Sequence, residues 1–139
     1  MGWCQVSVSR GRLGSACWKR ALVAMIYEQG DIVEVDFSPT VGHEPSKKRP
    51  ALVVSNLDFN VSNSMTIVCP ITSREKDFFL HEQLPEGCGV SGSVVMEQVR
   101  AIDLDAKPAK LIGKLEGEQL DDILTCLSSF FAPSLERTY

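Results

Sequence analysis

The sequence predicts a mainly β fold that ends in one helix. Short β-branched runs in the first half are separated by turn residues about every ten positions, which is typical of strands. Near the C-terminus the apolar spacing changes to that of a helix. The 139 residues, 44% hydrophobic and 23% charged, fit a single domain. We therefore expect a small, coiled sheet or barrel of about five strands, capped by a C-terminal helix.

Five segments have the composition of strands, each apolar and bounded by Gly, Pro, Asn or Ser. We expect strands at residues 32–37, 51–55, 65–71, 78–84 and 93–98, and a short extended segment at residues 100–104. The polar stretch at residues 57–64 favours a turn or a single helical turn before the third strand.

The C-terminal segment has the apolar spacing of an amphipathic helix. Its one-face residues are Leu120, Ile123, Leu124, Leu127, Phe130 and Phe131. Acidic residues precede and begin this segment, where negative charge is favourable beside the helix dipole. Pro133 marks its expected end.

The first 24 residues show neither a helical nor a strand period and carry four basic residues and no acid. We expect a disordered or non-native leader over residues 1–24 and a domain over residues 25–139. No apolar run is long enough for a signal peptide or a membrane span. The five cysteines form no Cys-x-x-Cys pair, which is typical of reduced thiols in a cytoplasmic protein.

The charge balance argues against a general nucleic-acid binder. The net charge is -4, and removing the four basic residues of the leader leaves 10 basic against 18 acidic residues, a net of -8. Nonspecific affinity for phosphate requires many Lys and Arg contacts. Any nucleic-acid function must therefore depend on a local basic patch. The alternative to a disordered leader is a basic arm that helps hold RNA.

Such a patch ends the polar loop at residues 38–50, between the first two expected strands. Arg49 is its best candidate for chemistry, because a guanidinium binds two phosphate oxygens and stays charged. Pro50 restricts Arg49 to an extended conformation. Taken alone, the Lys-Lys-Arg run is also typical of a solvated loop.

Six fragments together resemble successive motifs of the MazF/PemK toxin family. They are Gly30-Asp31-Ile32-Val33, Asp36-Phe37-Ser38-Pro39-Thr40, Gly42-His43-Glu44, Arg49-Pro50-Ala51-Leu52-Val53-Val54, Pro70-Ile71-Thr72-Ser73 and Glu97-Gln98-Val99-Arg100-Ala101-Ile102-Asp103. The resemblance extends from about Tyr27 to Phe131, in order and with family-like spacing.

The resemblance implies an SH3-like β-barrel with a C-terminal helix, a homodimer, and sequence-specific cleavage of single-stranded RNA without metal or other cofactor. It also implies a small MazE-like antitoxin whose flexible tail covers the RNA site. In such cleavage the 2′-OH attacks the adjacent phosphorus, so the enzyme must accept a proton and neutralise the phosphorane.

The resemblance assigns Thr72 to the catalytic centre beside Arg49. Seen alone, Thr72 and Ser73 after a strand are also typical of a turn or a helix cap. Glu97 matches a position that is acidic or polar in the family, and it either accepts a proton or pairs with Arg100 or Arg49. One branch of the family has an arginine where this chain has Val95. That departure leaves the general acid unidentified.

His43 is a weaker catalytic candidate, because other family members carry a different residue there. It either positions substrate or belongs to the loop structure, and Glu44 is expected to orient Arg49 or the loop.

RNA binding is expected from cations in the two loops that hold Arg49 and Thr72. The expected RNA-binding residues are Glu44, Lys47, Lys48, Ser73, Arg74, Lys76, Phe78 and Gln98. Phe78 and Phe79 can stack an unpaired base, although one in the strand core and one in a dimer contact is the alternative. His81 is expected on the sheet surface.

The predicted function is that of a cytoplasmic, dimeric endoribonuclease toxin that leaves a 2′,3′-cyclic phosphate and a 5′-hydroxyl and so inhibits translation. Two alternatives stay open: a CcdB-like toxin that poisons a protein such as a topoisomerase, and an inactive RNA-binding regulator. Neither alternative needs Arg49 and Thr72 as a catalytic pair.

Overall fold

The computed structural model describes residues 26–37, 47–74, 77–107 and 109–135. Seven strands and two helices lie in these ranges. They are β1 (Asp31–Asp36), β2 (Lys48–Val53), α1 (Leu57–Ser62), β3 (Met65–Thr72), β4 (His81–Gln83), β5 (Ser93–Val95), β6 (Arg100–Asp103), β7 (Lys110–Lys114) and α2 (Glu118–Ser129). A 3-10 turn, Met96–Gln98, connects β5 to β6. The predicted class, mainly β with a C-terminal helix, is confirmed.

The strands form one antiparallel sheet in the order β4-β5-β3-β2-β1-β7, and β6 also pairs with β3. Among the described strands, β4 and β7 do not pair, so the barrel is not closed by hydrogen bonds there. The sheet has two strands more than the five expected: β6, which was expected as a short extended segment, and β7, which was not predicted. Its Lys114 and Lys110 face Asp31 and Glu34 of β1, and opposite charges across two strands stabilise their pairing.

Both faces of the central strands are buried. Successive residues of a strand point to opposite faces, so Ile32 and Leu52 join one core, whereas Val33 and Val53 join another. The first core includes Ile123 of α2, which covers that face of the sheet. Two packed faces hold the ends of β2 and β3 on a rigid support.

Helix α2 packs through Ile123 and Leu127, which are buried as predicted. The prediction was wrong for Phe130 and Phe131, because the helix ends at Ser129 and both rings are exposed. In its first turn, Gln119 Nε2 donates to Glu82 Oε1 of β4 at 3.0 Å. This bond attaches the short strand β4 to the helix.

Two strand predictions were too long. The fourth expected strand, residues 78–84, is reduced to β4 because Phe78 to His81 forms a turn, closed by a 2.8 Å bond from His81 N–H to the Phe78 carbonyl. The fifth, residues 93–98, stops at Val95, where the 3-10 turn begins. Within the described residues, no helix is both long and apolar enough to cross a membrane.

Candidate active site

A cleft of about 520 Å³ opens where β3 changes its pairing partner. Strand β3 pairs with β2 only as far as Pro70, opposite Ala51, and then with β5 through Ile71 and Thr72. Pro50 precedes Ala51 and has no backbone N–H to extend the ladder. The start of β2 and the end of β3 therefore separate, and the side chains at these two positions line the cleft.

The cleft brings together three of the four expected catalytic residues: Arg49, Thr72 and Glu97. Four expected RNA-binding residues also line it: Lys48, Ser73, Arg74 and Gln98. Three cations in one cleft give this region of an acidic chain the local positive charge that phosphate binding requires.

Arg49 lies in β2 opposite Val35, near the start of the strand. Its side chain is exposed, whereas Ala51 and the following residues of the strand are buried. The guanidinium is thus accessible to substrate and attached to a fixed backbone. A planar donor pair in this position can bind two oxygens of one phosphate.

Thr72 is the last residue of β3 and is half-buried. Its Oγ1 accepts a hydrogen bond of 3.2 Å from the backbone N–H of Arg74. Within the described residues the Thr72 hydroxyl donates to no acceptor, so its hydrogen is available to donate to substrate. The arrangement suits a hydroxyl that donates to a phosphate oxygen.

Glu97 lies in the 3-10 turn, not inside a strand as predicted. Val68 of β3 pairs with Arg100 of β6, and Ile71 of β3 pairs with Val94 of β5. Between these two pairs β3 advances three positions, whereas the segment opposite it advances six. The extra residues form the turn and place Glu97 at the cleft, which the buried residue Val95 also lines.

The partner of Glu97 is neither Arg100 nor Arg49, as the sequence had suggested, but His81. Glu97 Oε1 lies 2.7 Å from His81 Nε2. The Arg100 guanidinium instead lies over the Phe37 ring, 4.2 Å from its centre.

His81 is a residue that sequence reasoning missed, since it was expected on the sheet surface. Its side chain is only 8% exposed, and it lines the cleft beside Thr72. In the sheet His81 is directly opposite Val95, two residues before Glu97. The sequence shows a histidine in a short strand, but the pairing of β4 with β5 is needed to bring it to Glu97.

The carboxylate of Glu97 also influences the core beneath the cleft. Burial, reinforced by the negative charge of Glu97, raises the pKa of the Cys69 thiol to about 12. Cys69 therefore remains a neutral thiol at physiological pH. It contributes packing, not a nucleophile, to the site.

A second recess of about 490 Å³ adjoins the cleft and shares Thr72, Ser73, Arg74 and His81 with it. Phe78 lines this recess and is 42% exposed, and its ring meets the His81 ring edge-on at 5.3 Å. Phe79 is 81% exposed. Neither ring belongs to the strand core, so the alternative that one of the two phenylalanines packs in the strand core was wrong.

Several expected site residues lie outside the described residues: His43, Glu44 and Lys76. The leader at residues 1–24 lies outside them as well. Lys47 is described and exposed, next to the cleft residue Lys48. The described part of the chain contains no group of three His, Cys, Asp or Glu side chains arranged to hold a metal ion.

The family model of the "PemK-like, MazF-like toxin of type II toxin-antitoxin system" matches residues 28–131, which include all described residues of this cleft. The chain belongs to this toxin family. The resemblance of the six sequence motifs to MazF/PemK proteins is thereby confirmed.

Known members of the PemK/MazF family support the assignment along most of the chain. Endoribonuclease toxin ChpB of Escherichia coli is 41% identical over 109 residues, which cover 74% of this chain and 92% of ChpB. The crystal structure of MazF from Deinococcus radiodurans has a TM-score of 0.67 and 31% identity, covering 77% of this chain and 97% of that one. A MazE-MazF structure from the same organism gives a TM-score of 0.70, also at 31% identity, with 77% and 96% coverage.

Proposed function

We propose that this chain is the toxin of a type II toxin-antitoxin pair and an endoribonuclease that cleaves single-stranded RNA without a metal ion. The observation that supports this most is the single cleft that contains Arg49, Thr72 and Glu97. The relatives named endoribonuclease toxins favour RNA cleavage over the topoisomerase-poison alternative.

Each residue has a separate role in the proposed reaction. Arg49 binds the scissile phosphate through its fork, and Thr72 donates to a phosphate oxygen as charge develops on the phosphorane. Glu97 accepts the proton of the attacking 2′-OH. The products are a 2′,3′-cyclic phosphate and a 5′-hydroxyl.

The remaining parts of the proposal concern partners and location. Lys48, Arg74 and Phe78 hold the RNA strand on either side of the scissile phosphate. The partner is a MazE-like antitoxin, as suggested by the MazE-MazF structures of related chains. In our proposal this antitoxin covers the same cleft. The toxin acts as a homodimer in the cytoplasm, where it would reach mRNA.

The decisive experiment incubates the purified protein with a long single-stranded RNA in EDTA and maps the cut ends. We expect cleavage in EDTA that Arg49→Ala and Thr72→Ala each abolish while the far-UV spectrum and melting temperature are retained. An absence of cleavage, cleavage only after metal addition, or full activity in both variants would refute the proposal. Inhibition of a topoisomerase without RNA cleavage would favour the alternative.

A further inference from the structure

A row of three polar side chains crosses the sheet from the cleft into the adjoining recess. Strand pairing sets Thr72 of β3 opposite Ser93 of β5, and Ser93 opposite Gln83 of β4. Residues that are directly paired in antiparallel strands project from the same face of a sheet. All three residues line the recess of about 490 Å³. The row therefore connects the proposed catalytic hydroxyl of Thr72 to the side-chain amide of Gln83.

We propose that this recess is a nucleobase subsite and that Gln83 is the residue that selects the base. The base belongs to one of the two nucleotides that flank the scissile phosphate. The subsite favours adenine or cytosine, whose pairing edges carry an amino group. This inference rests on the proposed function and names a specificity-determining residue for the same site.

The first argument is the position of the row relative to the cleft. Neighbouring strands lie about 4.8 Å apart, so the backbone of Gln83 lies about 10 Å from that of Thr72, two strand spacings away. A phosphate bound at Thr72 can therefore extend its sugar and base along the row. The cleft and the recess are continuous, because Thr72, Ser73 and Arg74 line both.

The second argument is that the polar groups of the row are unused. Gln83 is exposed and Ser93 is half-buried, and neither side chain makes a hydrogen bond within the described residues. A side-chain amide offers both donors and an acceptor, so it can bind two adjacent groups on one base edge. Phe78, which lines the same recess, provides a ring on which that base can stack.

The third argument is the fixed backbone of Gln83. Gln119 Nε2 of α2 donates to the Gln83 carbonyl and, at 3.0 Å, to Glu82 Oε1. Glu82 is paired with Val94, which belongs to the core beneath the sheet, so these two side chains lie on the face opposite the recess. The helix thus holds β4 from behind while Gln83 faces the recess. Selection between bases requires such a fixed donor and acceptor.

Asp77 decides the class of base. Its exposed carboxylate lines the recess and has no partner within the described residues. A carboxylate only accepts hydrogen bonds, so it attracts the amino group of adenine or cytosine and repels the keto oxygen of uracil or guanine. Arg74 also lines the recess, but it is shared with the cleft, where it is assigned to the RNA backbone.

The test maps the cut ends of an RNA pool with randomised positions, cleaved in EDTA by the wild type and by Gln83→Ala. We expect the wild type to enrich adenine or cytosine at one position that flanks the cut. For two short RNAs that differ there by an amino or a keto base, Gln83→Ala should lower the ratio of kcat/KM by about 5- to 150-fold, as for one lost bidentate pair. An unchanged ratio, an equal loss of rate on both RNAs, or a wild-type preference for keto bases at both flanking positions would overturn the inference.

Asp77→Asn tests the base class with a second variant. Asp77 lies outside the strands, so its replacement should leave the sheet intact even if Gln83→Ala folds poorly. Loss of the charge should reduce the discrimination against a keto base at the same position. Activity on the preferred RNA should stay within about tenfold of wild type, since the carboxylate pairs only with the base. Unchanged discrimination would overturn the assigned class of base.

The matched control is Glu82→Gln, next to Gln83 on the same strand but on the opposite face. It should keep the wild-type pattern of cut ends, and a change as large as that of Gln83→Ala would show that damage to β4, not loss of the amide, alters selection. The two proposals fail in different ways. A wild-type protein that cleaves no RNA refutes the function and the inference together, whereas the same sequence preference in wild type and Gln83→Ala refutes the inference alone.

Discussion

The backbone of Gly92 packs directly against the carbonyl group of Thr72. A Cβ atom at position 92 would lie 2.4 Å from that carbonyl oxygen, and the φ angle of Gly92 is +136°. Thr72 is paired with Ser93, which directly follows Gly92 in the chain. The missing side chain therefore lets β5 approach the strand that carries the proposed catalytic hydroxyl.

Gly92→Ala should damage both stability and cleavage. We expect a loss of about 3 kcal/mol in the free energy of unfolding, from left-handed strain and the backbone clash. Cleavage should fall by at least about tenfold, because small displacements of reacting groups are costly. Thermal unfolding and single-turnover cleavage measure the two effects.

The control for this prediction is Gly87→Ala. Gly87 also has a positive φ, +87°, but nothing lies within 4 Å of its added Cβ. This variant should lose about 1 kcal/mol from backbone strain alone and keep its activity. Equal effects at Gly92 and Gly87 would show that the approach to Thr72 is unimportant.

The Thr72 hydroxyl should matter more than its methyl group. Thr72→Val keeps the shape and removes the hydrogen bond from the Arg74 N–H, and we expect kcat/KM to fall by about 100-fold or more. Thr72→Ser keeps the hydroxyl and should stay within about tenfold of wild type, since only packing is lost. Steady-state cleavage of a single-site RNA compares them. An active Thr72→Val variant would exclude a donor role.

Phe78 should contribute to RNA binding through stacking. Phe78→Ala is expected to weaken binding of an uncleavable RNA, with a 2′-deoxyribose at the cut site, by about 5- to 150-fold. Phe79→Ala should have a smaller effect, because Phe79 lines neither the cleft nor the adjoining recess. Fluorescence anisotropy gives both dissociation constants. A larger loss from Phe79→Ala would move the stacking site out of the recess.

Cys69 should resist alkylation in the folded protein. Its pKa is raised to about 12, so the reactive thiolate is scarce at about pH 8, where a free cysteine is partly ionised. Among the three cysteines that the structure describes, Cys126 is half-buried and should react first with iodoacetamide. Peptide mass mapping after a timed reaction distinguishes them. Modification of Cys69 as fast as Cys126 would contradict the burial described above.

The positions of Arg49 and Thr72 were predictable because they depend on local signals. Each lies at the end of an apolar run where the chain turns polar, and the adjacent prolines, Pro50 and Pro70, limit the strand pairing. Helix α2 was predictable for the same reason, since its apolar period is contained in one continuous segment. The extra strand β7 was not, because it pairs with the distant strand β1.

The sequence by itself therefore determined the β class, the C-terminal helix and the clustering of the cationic and hydroxyl groups near strand ends. It placed Arg49 in a loop, whereas Arg49 lies in β2. The tertiary structure alone decided that Glu97 leaves the strand in a 3-10 turn and contacts His81. The physical reason is that strand register joins residues far apart in the chain. Val95 pairs with His81, and β3 advances three positions where the opposite segment advances six. No local pattern around His81 or Glu97 encodes that pairing.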